Sequence, residues 1–282
     1  MKKIAVLGLG LIGGSLGLAL HQAGVANHIS GYDSNPDATY QAWEIGAITE
    51  ICNTAEKAVQ QADMVILATP ILAMPELLEH IAPELKRGVL VTDTASAKVQ
   101  ILNWAKTLLP ANVMFVGGHP MAGRELSGIK AAKVGLFEGC AYCLIPAGQA
   151  SSEGVAQLSE IVPRLGAHPL VLDAERHDRL VAGISHLPFV LSSALVQCLS
   201  KEEGWKELTT LAAGGFRDTS RLAAGSPPMY RDICVTNKAE ILNWLDALAL
   251  QLDIIRSLIA RDDEVLEPYF AQAKLLRETA FN

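Results

Sequence analysis

The sequence predicts an α/β protein, a doubly wound and mostly parallel sheet followed by an all-helical region, on three observations. Short apolar runs without polar alternation, such as residues 4–7, 63–68 and 88–92, are separated by helical patterns as far as Asp173. Strands covered on both faces read this way, and their alternation with helices implies parallel crossovers. The first run leads directly into G-x-G-x-x-G at Gly8, Gly10 and Gly13. Beyond Asp173 strand signals cease and helical periodicity takes over, so we expect two units, residues 1–173 and 174–282. With 282 residues, half of them hydrophobic, the chain can build two cores.

The opening elements carry the sharpest chemical signal. A strand to Leu7, the three glycines, a helix over residues 15–23, a strand over residues 29–32 and an acid at Asp33 appear in the order of a Rossmann-type dinucleotide site. Gly8 permits the tight turn, Gly10 lets the backbone approach a pyrophosphate, and Gly13 lets helix pack on strand. The first helical turn, with Leu11 and Ile12, presents free N–H groups to the anion. Asp33 suits a free ribose hydroxyl and would repel the extra phosphate of NADP, and residues 34–40 contain no Arg or Lys to receive one. NAD is the expected cofactor. Thr69 and Pro70, directly after the 63–68 strand, fall at a carboxyl end, where such sheets bind ligands, and complete the expected cofactor set.

Further strands are expected over residues 113–117, 141–145 and 168–172, with a helix over 152–165. Helices are then expected over 175–199, 201–213, 227–261 and 263–279. Ser226 and Pro227 fit an N-cap and first turn, and the helix they start should run through Ala260, about 50 Å at 1.5 Å per residue. Its apolar residues cover more than one face, which points to a dimer interface in the helical region or to a helix wrapped within its own subunit.

Composition narrows the classes. The net charge of -7 and the lack of a basic cluster argue against nucleic acid. Lys2 and Lys3 before an apolar stretch imitate a secretory signal, but five glycines between Gly8 and Gly17 make a poor apolar helix, so none is expected. Residues 181–200 carry no formal charge, yet His186, Pro188, Ser192, Ser193 and Gln197 are costly in lipid, so a buried helix rather than a membrane span is expected. Five cysteines, an odd set, fit reduced thiols in the cytoplasm. Cys140 and Cys143 lie on an expected strand, where positions three apart face opposite ways, so metal or redox chemistry is not expected there.

Four polar segments remain: Asp93-Thr94-Ala95-Ser96-Ala97-Lys98, the Gly117 to Gly123 stretch around His119, Ser185-His186-Leu187-Pro188, and Gly215-Phe216-Arg217-Asp218-Thr219-Ser220-Arg221. Singly, each has a plain structural reading as a cap, a turn histidine or a surface ion-pair set. Together, and in this order, they resemble the prephenate and arogenate dehydrogenase family over essentially the whole chain. The resemblance implies oxidative decarboxylation of a cyclohexadienol, prephenate or arogenate, with His119 as the catalytic group. An unperturbed imidazole titrates close to neutrality and so can take the hydroxyl proton as hydride departs.

By the same resemblance Ser96 hydrogen-bonds the substrate hydroxyl or His119. Arg221 takes the side-chain carboxylate and Arg217 adds to the field or contacts the substrate. Glu125 and Asp218 hold the guanidiniums, and His186 binds the ring carboxylate. The site would lie between the two units of a chain expected to form a homodimer through its helical region. With no regulatory domain expected after Asn282 and no fused mutase domain before Met1, a tyrosine feedback inhibitor would act at the active site. The residues leave open a β-hydroxyacid dehydrogenase, an imine reductase-like NAD enzyme, or an NAD-binding sensor without turnover. The choice between prephenate and arogenate stays open too.

Overall fold

A computed structural model describes residues 1–123, 126–148, 151–261 and 264–281. Eight strands form one sheet: β1 (Lys3–Leu7), β2 (His28–Tyr32), β3 (Glu50–Ile51), β4 (Met64–Leu67), β5 (Leu90–Asp93), β6 (Met114–Pro120), β7 (Ala141–Pro146) and β8 (His168–Val171). Their order is β3-β2-β1-β4-β5-β6-β7-β8. Every neighbouring pair is parallel except β6 with β7. The strand order reverses between β1 and β4, which opens a crevice at their carboxyl ends.

The apolar runs form strands because both sheet faces are covered. On one face α1 (Leu11–Gln22) and α6 (Ser152–Ile161) contribute Leu16, Ala19, Leu20, Leu158 and Ile161. On the other, α3 (Ala55–Val59), α4 (Met74–Ile81) and α5 (Val99–Leu108) contribute Val59, Met74, Leu78, Ile81 and Ile101. That second core continues into the helical region through Ala182, Phe189, Ile233 and Ile241. α2 (Pro36–Glu44) follows β2, capped by Asn35, whose side chain accepts the Asp37 N–H at 3.0 Å.

The C-terminal region is helical: α7 (Ala174–Val181), a π turn (Ala182–His186), α8 (Leu187–Leu199), α9 (Trp205–Thr210), α10 (Gly214–Ser220), α11 (Pro227–Thr236), α12 (Lys238–Ala260) and α13 (Leu266–Phe281). Asp173 caps α7 by accepting the Arg176 N–H at 2.7 Å.

Several expected elements differ. The long helix through Ala260 is two helices, interrupted at Asn237 (φ −118°, ψ 33°), because the Asn237 side chain bonds inward and its backbone leaves helical geometry. The helix expected over residues 201–213 is only α9, which starts after Gly204. The two-residue strand β3 was not expected at all, being too short to show periodicity. The strand expected over residues 113–117 runs on to Pro120, because β7 pairs with it and sets His119 opposite Cys143. Asp263, expected to start the last helix, lies outside the described residues.

One helical segment among the described residues, Ala174–Leu199, is long and apolar enough to cross a membrane by length and composition. It is not the wholly buried helix expected from its composition. Val181, Ala182, His186, Phe189 and Ser192 face the protein, while Ile184, Ala194, Gln197 and Cys198 are exposed and most of the rest are half-buried. Several of its polar residues bond to protein groups, Ser192 Oγ accepting the Ala223 N–H at 2.8 Å and Ser193 Oγ donating to the Phe189 carbonyl at 2.9 Å. Nor is α12 wrapped in its own subunit: only Ile241 and Leu258 are buried, while Leu242, Leu250, Leu252 and Ile259 stand exposed.

Replacing Asp173 with Ala should lower stability by about 1 kcal/mol, the usual worth of an N-cap side chain. A thermal melt unchanged by D173A would show that packing alone holds α7.

Candidate active site

The glycine turn after β1 is built as its sequence demands. Gly8 has φ +91°, and a Cβ there would lie 2.5 Å from the Ala68 carbonyl oxygen. A Cβ on Gly13 would lie 1.9 Å from the Gly8 oxygen, so helix and turn touch through hydrogen alone. Gly10 differs, since a Cβ there meets nothing within 4 Å. Its smallness serves whatever approaches from outside. α1 starts at this residue with no side-chain cap and no acid in its first turn, leaving the N–H groups of Leu11 and Ile12 to an incoming anion.

Asp33 closes the far side. Its carboxylate accepts the Leu9 N–H at 2.7 Å and the Asn35 N–H at 2.9 Å, which fixes it beside the turn. Across the crevice, Thr69 Oγ1 is buried and has no hydrogen-bond partner. Pro70 follows it and starts a short 3-10 turn over Ile71–Ala73. An open glycine, an uncapped helix start, a fixed carboxylate and an orphaned hydroxyl are what a dinucleotide with a free ribose hydroxyl requires.

His119 lies near the end of β6 and is 7% exposed. Its Nδ1 is 2.9 Å from His177 Nε2, and His177 Nδ1 is 2.8 Å from Asp178 Oδ1. The same carboxylate accepts the backbone N–H groups of Lys98 at 2.7 Å and Val99 at 2.9 Å. It thereby caps α5, which has no side-chain cap of its own.

These partners set the protons. Asp178 meets only N–H donors, so His177 carries hydrogen on Nδ1, and a neutral ring so held presents a lone pair at Nε2. His119 must then donate from Nδ1, which leaves its Nε2 as a free lone pair, the form a general base needs. Burial, with smaller repulsion from His177, Lys98 and His186, pushes the His119 pKa well below the ordinary imidazole value, so the ring is neutral at physiological pH.

Lys98 is wholly buried, its ammonium paired with Asp93 and donating to the Gly118 carbonyl at 2.8 Å. Asp93 also accepts the N–H groups of Ala95 at 2.8 Å and Gly118 at 3.2 Å, so the pair clasps the ends of β5 and β6 just before His119.

His186 is buried in the π turn, its Nδ1 3.2 Å from Asn237 Nδ2. Burial pushes its pKa down to about 4 against the attraction of Asp178, so it too is neutral, and it enters any ligand contact as a neutral donor rather than a cation. The Ser96 backbone lies against this ring. Among the described residues the Ser96 side chain makes no hydrogen bond to His119, whose Nδ1 is held by His177. Beyond His186, Phe189 stacks on Tyr230 at 3.9 Å, and Arg221 acts electrostatically on the Tyr230 hydroxyl. This series connects Arg221 to the His119 cluster. Arg217 and Asp218 sit on α10, exposed, and Glu125 lies outside the described residues.

Sequence reasoning missed His177, Asp178 and Asn237. His177 and Asp178 sit in Ala174-Glu175-Arg176-His177-Asp178-Arg179, which reads as a charged surface helix. The one available signal was their place directly after the last strand.

A dinucleotide crevice beside a buried, neutral, oriented imidazole defines a nicotinamide-dependent oxidoreductase. Comparison with known proteins narrows the class. Residues 16–171 match the family model for the prephenate dehydrogenase nucleotide-binding domain, and residues 173–272 match that for the prephenate dehydrogenase dimerization domain. The chain therefore belongs to the prephenate dehydrogenase family. It is 37% identical to a prephenate dehydrogenase of Bacillus subtilis (strain 168) over 278 residues, 98% of this chain and 75% of that one.

Among solved structures, it superposes with a TM-score of 0.92 and 29% identity on the prephenate dehydrogenase of A. aeolicus in complex with hydroxyphenyl propionate and NAD+, covering 99% of this chain and 98% of that one. Against the Synechocystis arogenate dehydrogenase the TM-score is 0.84 at 32% identity, covering 99% and 100%.

Two outcomes test this geometry. Gly10→Ala should leave the melting temperature nearly unchanged and weaken dinucleotide binding about tenfold or more, whereas Gly13→Ala should destabilise the fold by about 1–3 kcal/mol. Equal effects on binding and stability from the two would contradict the different surroundings of these glycines.

Stability should also fall with acid in a defined window. His186 is neutral in the fold to about pH 4, while an unfolded imidazole binds its proton near pH 6.5. Stability is thus full above about 6.5 and lost progressively toward 4. In His186→Asn, melting temperature plotted against pH should be shallower across that window.

Proposed function

We propose that this protein is an NAD-dependent oxidoreductase of tyrosine biosynthesis, converting prephenate to 4-hydroxyphenylpyruvate, arogenate to tyrosine, or both, by oxidative decarboxylation. The observation that carries the mechanism is the His119–His177–Asp178 chain, which leaves a base lone pair on His119 Nε2. Gly8, Gly10, Leu11, Ile12, Gly13, Asp33, Thr69 and Pro70 hold the dinucleotide. Bound NAD supplies the hydride acceptor.

His119 takes the ring hydroxyl proton at Nε2 as the carbinol carbon is oxidised. The imidazolium so formed keeps donating from Nδ1 to His177, and His177 from its Nδ1 to Asp178, so the new charge is met by an existing line of acceptors. Loss of the ring carboxylate as carbon dioxide and formation of the aromatic ring make the step irreversible. Ser96, beside His186, contacts the substrate hydroxyl. His186 donates to the ring carboxylate, and Arg221, with Arg217, receives the side-chain carboxylate. Asp218 and Glu125 orient those guanidiniums.

On this reading residues 1–173 bind the cofactor and residues 174–282 serve substrate binding and dimerisation. The family match to a dimerization domain and the exposed apolar residues of α12 and α13 support a homodimer. The five cysteines, all free thiols, fit a soluble cytoplasmic enzyme. Tyrosine, where it inhibits, competes at this same site.

The direct test supplies purified protein with NAD and either prephenate or arogenate and follows formation of the reduced nicotinamide. Turnover with one alone assigns the substrate, and binding of NAD without turnover on either overturns the assignment. His119→Ala should lower kcat by about 10²- to 10⁴-fold with NAD affinity unaltered. Arg221→Ala should chiefly raise KM. An unchanged KM removes its carboxylate role.

A further inference from the structure

Asn237 interrupts the apolar run between α11 and α12, and its side chain is turned into the protein, 5% exposed. Its Nδ2 donates to the Asp178 backbone carbonyl at 2.8 Å and lies 3.2 Å from His186 Nδ1. A carbonyl can only accept, so the amide nitrogen must face it, and that same nitrogen is then the donor to His186. A ring nitrogen that accepts carries no hydrogen. Neutral His186 therefore keeps its proton on Nε2, an atom that is buried and has no partner at hydrogen-bond distance among the described residues, the Ser96 backbone exerting only the weakest of the pulls on the ring. An N–H left in that state is costly to the free protein, and a ligand oxygen placed against it removes the cost.

The surrounding backbone is shaped around the same ring. His186 ends a π turn, a widened helical turn of the kind that often marks a functional site. Two successive carbonyls just before the turn are taken by side chains from outside the helix: Asp178 by Asn237, and Arg179 by Trp244 Nε1 at 3.0 Å. Trp244 packs against Gly183 so closely that a Cβ there would lie 2.9 Å from its ring. The groups acting on the ring are Asp178 and His177 on α7 and the Ser96 backbone after β5; His119 on β6 in turn feels it.

We infer that Asn237 is a positioning residue, which fixes His186 as a neutral Nε2–H donor held ready for a carboxylate oxygen of the substrate. This inference rests on the proposed function and adds the reason for a neutral donor. A cation at this place would grip the ground-state carboxylate and resist its loss as neutral carbon dioxide, whereas a hydrogen bond orients it without that penalty.

The test reads the proton directly. In ¹⁵N-labelled wild-type protein at neutral pH, the His186 imidazole should show the Nε2–H tautomer. In Asn237→Asp the new carboxylate accepts rather than donates, so the proton should move to Nδ1 and the ring should titrate at higher pH. At a pH above that titration, where the ring is still neutral, KM for the substrate that turns over should then rise about 10- to 100-fold with kcat nearly unchanged.

A merely structural role for Asn237 predicts a lower melting temperature with the tautomer unmoved, which overturns the inference. So does a wild-type His186 protonated on Nδ1, an observation that needs no variant to fold, and so does a switched tautomer with KM unchanged. Because the spectra need no turnover, inactivity on both substrates would refute the proposed function while the tautomer is still decided separately.

Discussion

The Asp178 carboxylate is the constraint on which the candidate site depends. It sits on α7, in the helical region, yet two of its three donors are the backbone N–H groups that begin α5, under the sheet. A helix start binds an anion well because its N–H groups are unsatisfied and its dipole is positive there. That attachment fixes the distance between the two regions. The third donor, His177, makes the same carboxylate choose the His119 tautomer. Interdomain geometry and proton placement thus follow from one group. The buried Asp93–Lys98 pair fastens the strand beneath. Removing one partner of such a pair typically costs about 3–5 kcal/mol, since the other charge is left in a dry interior.

Three imidazoles, His119, His177 and His186, are crowded into this interior with Lys98 close by. Burial and mutual repulsion both oppose protonation, and for His119 and His186 they outweigh every attraction. For His119 and His186, kept neutral, direction of hydrogen bonding rather than charge carries the information. Each ring has one donor and one acceptor, and the fixed acceptor at Asp178 and the fixed donor at Asn237 settle which is which.

Much of the first region was legible in the sequence for a plain reason. Strands covered on both faces leave continuous apolar runs, and the glycine turn needs glycines where a Cβ would strike backbone, as at Gly8 and Gly13. Motif residues His119 and His186 were legible by resemblance, but their partners were not. His177 and Asp178 lie on a helix whose composition is that of a solvated surface, and only the tertiary fold turns those two inward. Asn237 is hidden in apolar helical periodicity on both sides. Its effect on the backbone depends on Asp178 and His186, 59 and 51 residues away. The extension of β6 to His119 depends likewise on β7, which pairs from across a connection with no strand signal of its own.

The site divides its tasks between two kinds of surroundings. Proton placement is held by buried groups, His119 and His177 bonded to one another and to Asp178, in a packed interior that leaves little freedom to each ring. The guanidiniums assigned to the outer carboxylate sit on and just after α10, a helix with no buried residue in this chain. An exposed guanidinium keeps its charge at any physiological pH and can move with its helix, so it suits capture of a dianion from water. A buried imidazole suits the opposite task, since it must be neutral and immobile when the proton arrives. Phe189 and Tyr230, their rings stacked between the two, form the physical connection. Substrate affinity can therefore vary at α10 while the hydrogen bonds that set the tautomers around His119 stay fixed.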